Sequence, residues 1–276
     1  MQRFEILTND SKDPEHLMER EVQTFLEEHG AACVTQQTDG FSPECLLVLG
    51  GDGTVLRAAE RVQESGIPIL GFNLGTLGYL AEIERNAWKE ALLQLLDGAY
   101  TIEDRMMIEG GRVVKPGESL PWMLTEPIHQ ALNDIVIFRS GALRVVNYDV
   151  YVNGKFLNTY HADGMIICTP TGSTAYNLSA GGPIVEPGAE MIVLTPICAH
   201  QINIRSIVLS ATDQIEIVIE DSRGDSELAA EAVYDGNERV ELRNGERFAI
   251  RKSDRVTRLV KLGNRSFLET LRIKMQ

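Results

Sequence analysis

Five consecutive residues, Gly50-Gly51-Asp52-Gly53-Thr54, set one carboxylate among glycines directly after the apolar run Cys45-Leu46-Leu47-Val48-Leu49. A buried strand that ends in glycines and enters a helix brings backbone N–H groups together at the helix start, an arrangement suited to phosphate. Glycine lets the backbone approach a ligand closely, and Thr54 is a residue type favoured as a helix N-cap. Asp52 is out of place in such a nest, because a carboxylate repels the anion the amides attract. Three tasks fit it: taking a proton from an attacking hydroxyl, holding a phosphate-bridging metal ion, or capping a helix in an ordinary tight turn.

Three further segments carry groups of the same kind. Gly71-Phe72-Asn73-Leu74-Gly75-Thr76-Leu77-Gly78-Tyr79-Leu80 is a second glycine loop after an expected strand. Loops at the carboxyl ends of adjacent parallel strands meet in one crevice, so Asn73 and Gly75 are candidates for the same phosphates as Gly50, Gly51, Gly53 and Thr54. Asn133-Asp134 precedes the strand Ile135-Val136-Ile137-Phe138 and could grip a cis-diol such as a ribose, or form a polar turn. From Asp163, an apolar strand leads into Thr169-Pro170-Thr171-Gly172-Ser173-Thr174-Ala175-Tyr176-Asn177-Leu178-Ser179, a run dense in hydroxyls that also offers the ring of Tyr176. The P-loop pattern G-x-x-x-x-G-K-[ST] and the fingerprint G-x-G-x-x-G are both absent, so a phosphate site here is of another type. His161 and His200 have no second His at i, i+4 and no Cys at ligand spacing; nothing in the sequence resembles a zinc site.

The elements that must position these groups fall into two patterns. In the first third, strands expected at Phe4–Thr8, Ala32–Thr35, Cys45–Leu49 and Ile67–Phe72 alternate with helices. One helix is expected from Asp13-Pro14, with Met18, Val22, Phe25, Leu26 and His29 at helical spacing and Gly30 ending it; a second starts near Thr54; a third carries Trp88, Ala91, Leu92, Leu95 and Leu96 and closes at Gly98. That alternation implies a doubly wound parallel α/β sheet. After about Arg105 the period becomes two. Val146, Tyr148, Val150 and Val152 alternate with polar residues up to Asn153-Gly154, a hairpin signal. Ile215, Ile217 and Ile219 repeat the pattern, and Val240 and Leu242 lead through Asn244-Gly245 to Phe248 and Ile250 as a second expected hairpin. The expected organisation is an α/β domain over 1–105 plus 255–276 and a β-rich, sandwich-like domain over 106–254. A final helix carrying Phe267, Leu268, Leu271 and Ile273 is expected to pack back on the first domain.

Composition narrows the function classes. The 276 residues are 43% hydrophobic and 24% charged, as in globular proteins, and need no metal or disulfide staple. A formal charge of −14 argues against a non-specific nucleic-acid binder and against an anionic membrane surface as partner. Cys33, Cys45, Cys168 and Cys198 form no C-x-x-C pair and read as buried free thiols of a reducing compartment. The opening Met1–Leu7 reads as a strand and not a signal peptide, and no apolar run reaches the length of a membrane span, so the expected location is the cytoplasm.

Taken together, Gly50–Thr54, Asn73–Leu80, Asn133-Asp134, Thr169–Tyr176 and the tail Ser266-Phe267-Leu268 resemble the NAD kinase family in its bacterial form, over nearly the whole chain. The first motif is shared with lipid kinases and phosphofructokinases; the fourth is far more specific. The resemblance implies transfer of the γ-phosphoryl of ATP, or of another phosphoryl donor, to the 2′-hydroxyl of the adenosine ribose of NAD, giving NADP. It implies a divalent metal, usually Mg²⁺, with no protein ligands assigned to it, and a homodimer or homotetramer. By motif position Asp52 is the proton acceptor, Gly53 lies at the diphosphate, and Asn133 and Asp134 hold ribose hydroxyls. Asp163, Thr174, Ala175, Tyr176, Asn177 and Ser179 line the NAD pocket, and His161, Cys198 and Asn237 join them.

The chain departs from the family's pattern in three places. Asp134 stands where Glu is frequent, which shortens the reach to the ribose. His161 stands where many members carry Arg, replacing a permanent cation with a titratable one. Pro196-Ile197-Cys198-Ala199-His200 stands where Pro-Ile-Ala-Pro-His is more usual. A lipid or sugar kinase sharing the first motif and a non-catalytic dinucleotide sensor are the competing readings. The former is not expected to combine the 171–179 run with Asn133-Asp134, and the latter is expected to lack Asp52.

Overall fold

The computed structural model describes residues 1–36, 38, 40–114, 123–140, 146–200, 203–221, 228–263 and 266–275. In chain order the first elements are β1 (Arg3–Thr8), α1 (Leu17–Glu28), β2 (Ala32–Val34), β3 (Cys45–Gly50), α2 (Asp52–Val62), β4 (Ile69–Asn73), β5 (Ile83–Glu84) and α3 (Trp88–Leu96). Strands dominate next: β6 (Thr101–Val114), β7 (Met123–Ala131), β8 (Asp134–Arg139), β9 (Val146–Val152), β10 (Lys155–Ala162) and β11 (Gly164–Cys168). After the short helix α4 (Tyr176–Ser179) come β12 (Met191–Ile197), β13 (Ile207–Ser210), β14 (Ile215–Asp221), β15 (Leu228–Tyr234), β16 (Glu238–Arg243), β17 (Arg247–Lys261) and α5 (Phe267–Lys274). The chain divides into two compact units, Met1–Arg105 with Val256–Gln276, and Met106–Arg255.

The first unit is a doubly wound α/β sheet. Its strands run in the order β2-β1-β3-β4, all parallel, with the end of β17 alongside β4. Every residue of β3 is buried, because helices cover both faces. On one face Cys45, Leu47 and Leu49 share a core with Met18, Val22 and Leu26 of α1 and with Trp88, Ala91, Leu92 and Leu95 of α3. The other face receives α2: a Cβ added to Gly71 in β4 would press on Val55 of α2. The order places β1 and β3 side by side with their connections leaving in opposite directions. The loops at their carboxyl ends therefore open the crevice at which such sheets bind ligands.

Local rules explain the helix ends, with two corrections. The helix expected from Asp13 begins at Leu17. Asp13 lies outside it as a buried cap, accepting the N–H groups of Leu17 at 3.0 Å, Met18 at 3.3 Å and Glu19 at 3.1 Å. The helix expected near Thr54 begins at Asp52, so Thr54 is its third residue and not its N-cap; its Oγ1 accepts the N–H of Gly51 at 3.4 Å. Gly30 and Gly98 take positive φ where α1 and α3 stop, as expected. Helix α5 meets its own unit through Phe267, whose ring lies 6.3 Å from that of Tyr79.

The second unit is a β-sandwich. One sheet has the order β13-β12-β11-β8-β15-β16, antiparallel throughout. The other contains β10-β9-β14 and the start of β17, together with the β6–β7 pair. Between them lies one core, including Ile135, Ile137, Met165, Ile167 and Tyr234 from the first sheet and Tyr148, Val150, Ile217 and Phe248 from the second. Val136, Ile166, Cys168 and Val193 form a second cluster with Val185 on the outer face of the first sheet. That is why β8 and β11 read as unbroken apolar runs and not as alternating ones.

The hairpin at Asn153-Gly154 joins β9 and β10, both turn residues having positive φ. The one expected through Asn244-Gly245 is not a hairpin: β16 pairs with β15 and β17 with β14, so that turn carries the chain from one sheet to the other. The hairpin in its place joins β15 to β16 at Asp235-Gly236, with φ of 47° and 78°.

Because Asp13 closes three N–H groups from a buried position, Asp13→Ala should lower stability by about 1–2 kcal/mol. The check is the urea midpoint with an unchanged slope.

Candidate functional site

In the first unit the two glycine loops are tied together by Asp52. Its carboxylate accepts three consecutive backbone N–H groups of the second loop: Tyr79 at 2.8 Å on Oδ2, and Leu80 and Ala81, each at 3.0 Å, on Oδ1. The carboxylate that looked misplaced in a phosphate nest is thus turned away from its own loop's amides and fastened to its neighbour's. Gly78 makes the approach possible, since a Cβ there would overlap the Asp52 carboxylate. Gly50 is required for a similar reason, as a Cβ there would overlap the Thr54 side chain. Asn73 closes its own turn by accepting the N–H of Gly75 at 2.8 Å, and Leu74 donates to the Gly50 carbonyl at 2.8 Å. Gly50, Gly51, Asp52, Gly53, Thr54, Asn73 and Gly75 are therefore brought together.

A third loop joins them that sequence reasoning missed. Asn9, after β1, donates from Nδ2 to Thr54 Oγ1 at 3.0 Å, and its own N–H bonds the Leu49 carbonyl at 2.9 Å. Nothing in the local pattern of Thr8-Asn9-Asp10-Ser11-Lys12 announces this; it follows from β1 being the neighbour of β3.

In the second unit Asn133-Asp134 is held by another missed residue, Asp235. Its carboxylate accepts the N–H groups of Leu132 at 2.7 Å, Asn133 at 2.8 Å and Asp134 at 3.1 Å. The turn that carries Asp235 also carries Asn237, exposed and closed by its N–H to the Tyr234 carbonyl at 2.8 Å. From the other side Thr169 donates its hydroxyl to the Leu132 carbonyl at 2.6 Å and its N–H to the Asn133 carbonyl at 2.9 Å. Gly172 packs so close that a Cβ would overlap the Asn133 backbone. Asp134 is buried; desolvation first, and the Asp235 carboxylate second, push its carboxyl up from 3.8 to about 7.

The register of β8 against β11 separates the remaining candidates. Asp134 faces Cys168 at one end of the ladder, and Gly164 faces Phe138 at the other. At that far end Asp163 accepts from Arg139 Nε at 3.0 Å, and its N–H reaches the Ile197 carbonyl at 3.0 Å, next to Cys198. His161 shares a 2.6 Å contact between Nδ1 and Asn147 Oδ1. Cys198, expected as a buried thiol, is instead exposed, and it takes a φ of 47°, a conformation rare outside glycine. Arg139 thus supplies a permanent cation beside Asp163, whatever the charge of His161. The two groups of candidates lie roughly 15 Å apart, four to five strand residues.

The hydroxyl-rich run folds back between them. Thr195, paired with Ile166 in mid-ladder, donates to Asn177 Oδ1 at 2.7 Å. The Asn177 amide also donates to the Ser173 and Pro183 carbonyls at 3.1 and 3.0 Å, and the residue is fully buried. Asn177, expected in the ligand pocket, uses its side chain to hold the loop, and Gly182 is small because Asn177 occupies the space its Cβ would fill. Ser173 is likewise internal, donating to the Pro170 carbonyl at 2.6 Å and accepting the Val185 N–H at 3.0 Å. Tyr176 and Ser179 are exposed, and Thr174 and Ala175 half-buried.

Among the described residues no three His, Cys, Asp or Glu side chains converge as a metal set. Asp13, Asp52 and Asp235 are each engaged with backbone amides. No described helix is long and apolar enough to cross a membrane.

A doubly wound unit with a glycine–carboxylate crevice, followed by a β-sandwich that presents an amide–carboxyl pair beside a hydroxyl-rich loop, defines a nucleotide-dependent kinase. Residues 5–100 match the ATP-NAD kinase N-terminal domain and residues 132–262 the ATP-NAD kinase C-terminal domain. The chain is 42% identical to the NAD kinase of Lachnospira eligens, with 100% of both chains covered. It is 43% identical to that of Agathobacter rectalis, covering 100% of this chain and 99% of the other. Its fold resembles an Archaeoglobus fulgidus NAD kinase in complex with ATP (TM-score 0.78, 24% identity, 98% of each chain). It also resembles yeast NADH kinase complexed with NADH (TM-score 0.78, 23% identity, 99% of this chain and 86% of that one). The chain belongs to the NAD kinase family.

Two outcomes test this geometry. Gly78→Ala should force the Asp52 carboxylate off its amides and cost about 1–3 kcal/mol, the range for overpacking, seen as a lowered melting temperature. For Asp134, a carboxyl pKa raised on folding means that the folded state holds its proton longer than the unfolded chain does. Its contribution to stability therefore falls as pH rises from 3.8 to about 7 and is level above that. Asp134→Asn should gain on the parent protein across that window, measured by denaturation at several pH values; a pH-independent difference would remove the buried proton.

Proposed function

We propose that this enzyme transfers the γ-phosphoryl of ATP, or of another phosphoryl donor, to the 2′-hydroxyl of the adenosine ribose of NAD, with Asp52 accepting the hydroxyl proton. The observation that carries the assignment is the hydrogen-bonding of Asp52. A carboxylate offers about four acceptor sites; three are taken by the N–H groups of Tyr79, Leu80 and Ala81, two on Oδ1 and one on Oδ2. The remaining site, on Oδ2, is aimed by the other three and is the one left for a substrate proton. Phosphoryl transfer asks a protein mainly for positioning and charge neutralisation, and a fixed acceptor answers the first need.

In this reading Gly53 lies at the diphosphate, with Gly50, Gly51, Thr54, Asn73 and Gly75 shaping the phosphate loops. Asn133 and Asp134 hold ribose hydroxyls; a carboxyl titrating near neutrality can donate or accept there. Asp163, His161, Cys198, Asn237, Thr174, Ala175, Tyr176 and Ser179 contact the rest of the dinucleotide. An extended ligand suits candidates that stand at both ends of the β8–β11 ladder, where a compact sugar would reach only one. Magnesium, when bound with the donor, neutralises phosphate charge. A cytoplasmic setting and a homodimer or homotetramer belong to the proposal on the family resemblance.

Incubation with NAD, ATP and Mg²⁺ should yield NADP. Asp52→Asn keeps the shape but puts an NH₂ where an acceptor stood, so turnover should fall by roughly 10²- to 10⁴-fold, the scale of a general base. ATP-dependent labelling of a lipid or sugar with no NADP would overturn the substrate, and near-parental turnover in the variant would overturn the role of Asp52.

A further inference from the structure

The loop between β1 and α1 places a cation where the phosphate loops are most open. The ammonium of Lys12 lies 2.6 Å from the position a Cβ on Gly51 would occupy, and 3.1 Å from the corresponding position on Gly75. It therefore rests on both glycine loops at once, in space that exists because neither residue has a side chain. Its backbone is fixed from both directions. Lys12 donates its N–H to the Asn9 carbonyl at 2.9 Å, and Asn9 is bonded to Thr54 at 3.0 Å; the next residue, Asp13, is the buried cap of α1. No carboxylate among the described residues pairs with this ammonium, although the chain carries 40 acidic residues against 26 basic ones. Asp52, one residue from Gly51, is bound to Tyr79, Leu80 and Ala81 instead. The topology agrees, because the loops after β1 and β3 flank the switch point of the sheet.

We propose that Lys12 is a phosphate-binding residue that holds the phosphoryl donor through its terminal phosphate oxygens and neutralises charge as the phosphoryl group moves. This rests on the proposed kinase reaction for its catalytic half. In that reaction the ribose 2′-oxygen bonds to the γ-phosphorus and the bond from that phosphorus to the bridging oxygen breaks, its electron pair leaving on ADP. The hydroxyl proton goes to Asp52. Lys12 takes no part in the proton transfer; as a compact cationic donor it follows the phosphate oxygens electrostatically. The donor is favoured over the diphosphate of NAD because Lys12 rests on Gly51 and Gly75 and does not approach the corresponding position on Gly53, the glycine proposed to lie at that diphosphate.

The test uses the full chain with Lys12→Met and Lys12→Arg. Calorimetric titration with tripolyphosphate, which has neither base nor ribose, should show affinity about 10- to 100-fold weaker in the Met variant, the value of one hydrogen bond to a charged group. The Arg variant should recover most of it. In turnover, the Met variant should raise KM for ATP and lower kcat, with KM for NAD within twofold of the parent. Unchanged tripolyphosphate affinity in the Met variant, or no tripolyphosphate binding by the parent protein, overturns the proposal. A rise confined to KM for NAD also overturns it, by placing the charge at the acceptor's diphosphate. If the parent protein makes no NADP but Lys12→Met still loses tripolyphosphate binding, the kinase reading falls and the phosphate role of Lys12 stands.

Discussion

A single aspartate that gathers three consecutive backbone amides is the interaction on which the first unit's crevice depends. Without Asp52 the N–H groups of Tyr79, Leu80 and Ala81 would lack their acceptor, and the second glycine loop would lose its anchor on the first. Charge-assisted bonds of this kind are stronger than neutral ones and directional. The same bonds that order the loop therefore orient the carboxylate to within a narrow range. Structural and chemical demands on Asp52 are met by one geometry.

The second unit repeats the device with a different purpose. Asp235 gathers Leu132, Asn133 and Asp134 as Asp52 gathers Tyr79, Leu80 and Ala81. Here the clamping carboxylate is not the proposed reactive group but stands behind one. It fixes the backbone from which Asn133 and Asp134 project, and its charge helps keep the Asp134 proton on. Glycine serves both clamps by absence: Gly78 leaves room for Asp52, and Gly172 lets the hydroxyl-rich loop close on Asn133. Within that loop the polar residues divide by burial. Ser173 and Asn177 spend their hydrogen bonds on the protein, which leaves Tyr176 and Ser179 at the surface.

Much of the fold was legible because it rests on short-range rules. Period-3.6 and period-2 patterns separated the α/β unit from the β unit, and Gly30, Gly98 and Asn153-Gly154 marked stops and a turn through their need for positive φ. The errors have a common cause. Asn244-Gly245 has the chemistry of a hairpin turn, but pairing is decided by the sheet each flanking strand joins, and β16 and β17 join different ones. Thr54 has the chemistry of an N-cap, yet the strand runs on to Gly50 and the helix starts at Asp52, which makes Thr54 a partner for Asn9 instead.

By itself the sequence determined that this is a two-part α/β and β-rich chain with glycine loops after buried strands, and it singled out Asp52, Asn133 and Asp134 as candidate groups. Those properties live in residue type and in spacings of a few positions, where backbone sterics and side-chain period act directly. Only the tertiary structure decided what surrounds them. Lys12, Arg139 and Asp235 reach their places through strand order and register, across separations no local pattern encodes. The internal partners of a polar residue such as Asn177 were set by the packing of β11 and β12 beneath it. Residue type states what a group can do; its neighbours in space state which of those things it is free to do.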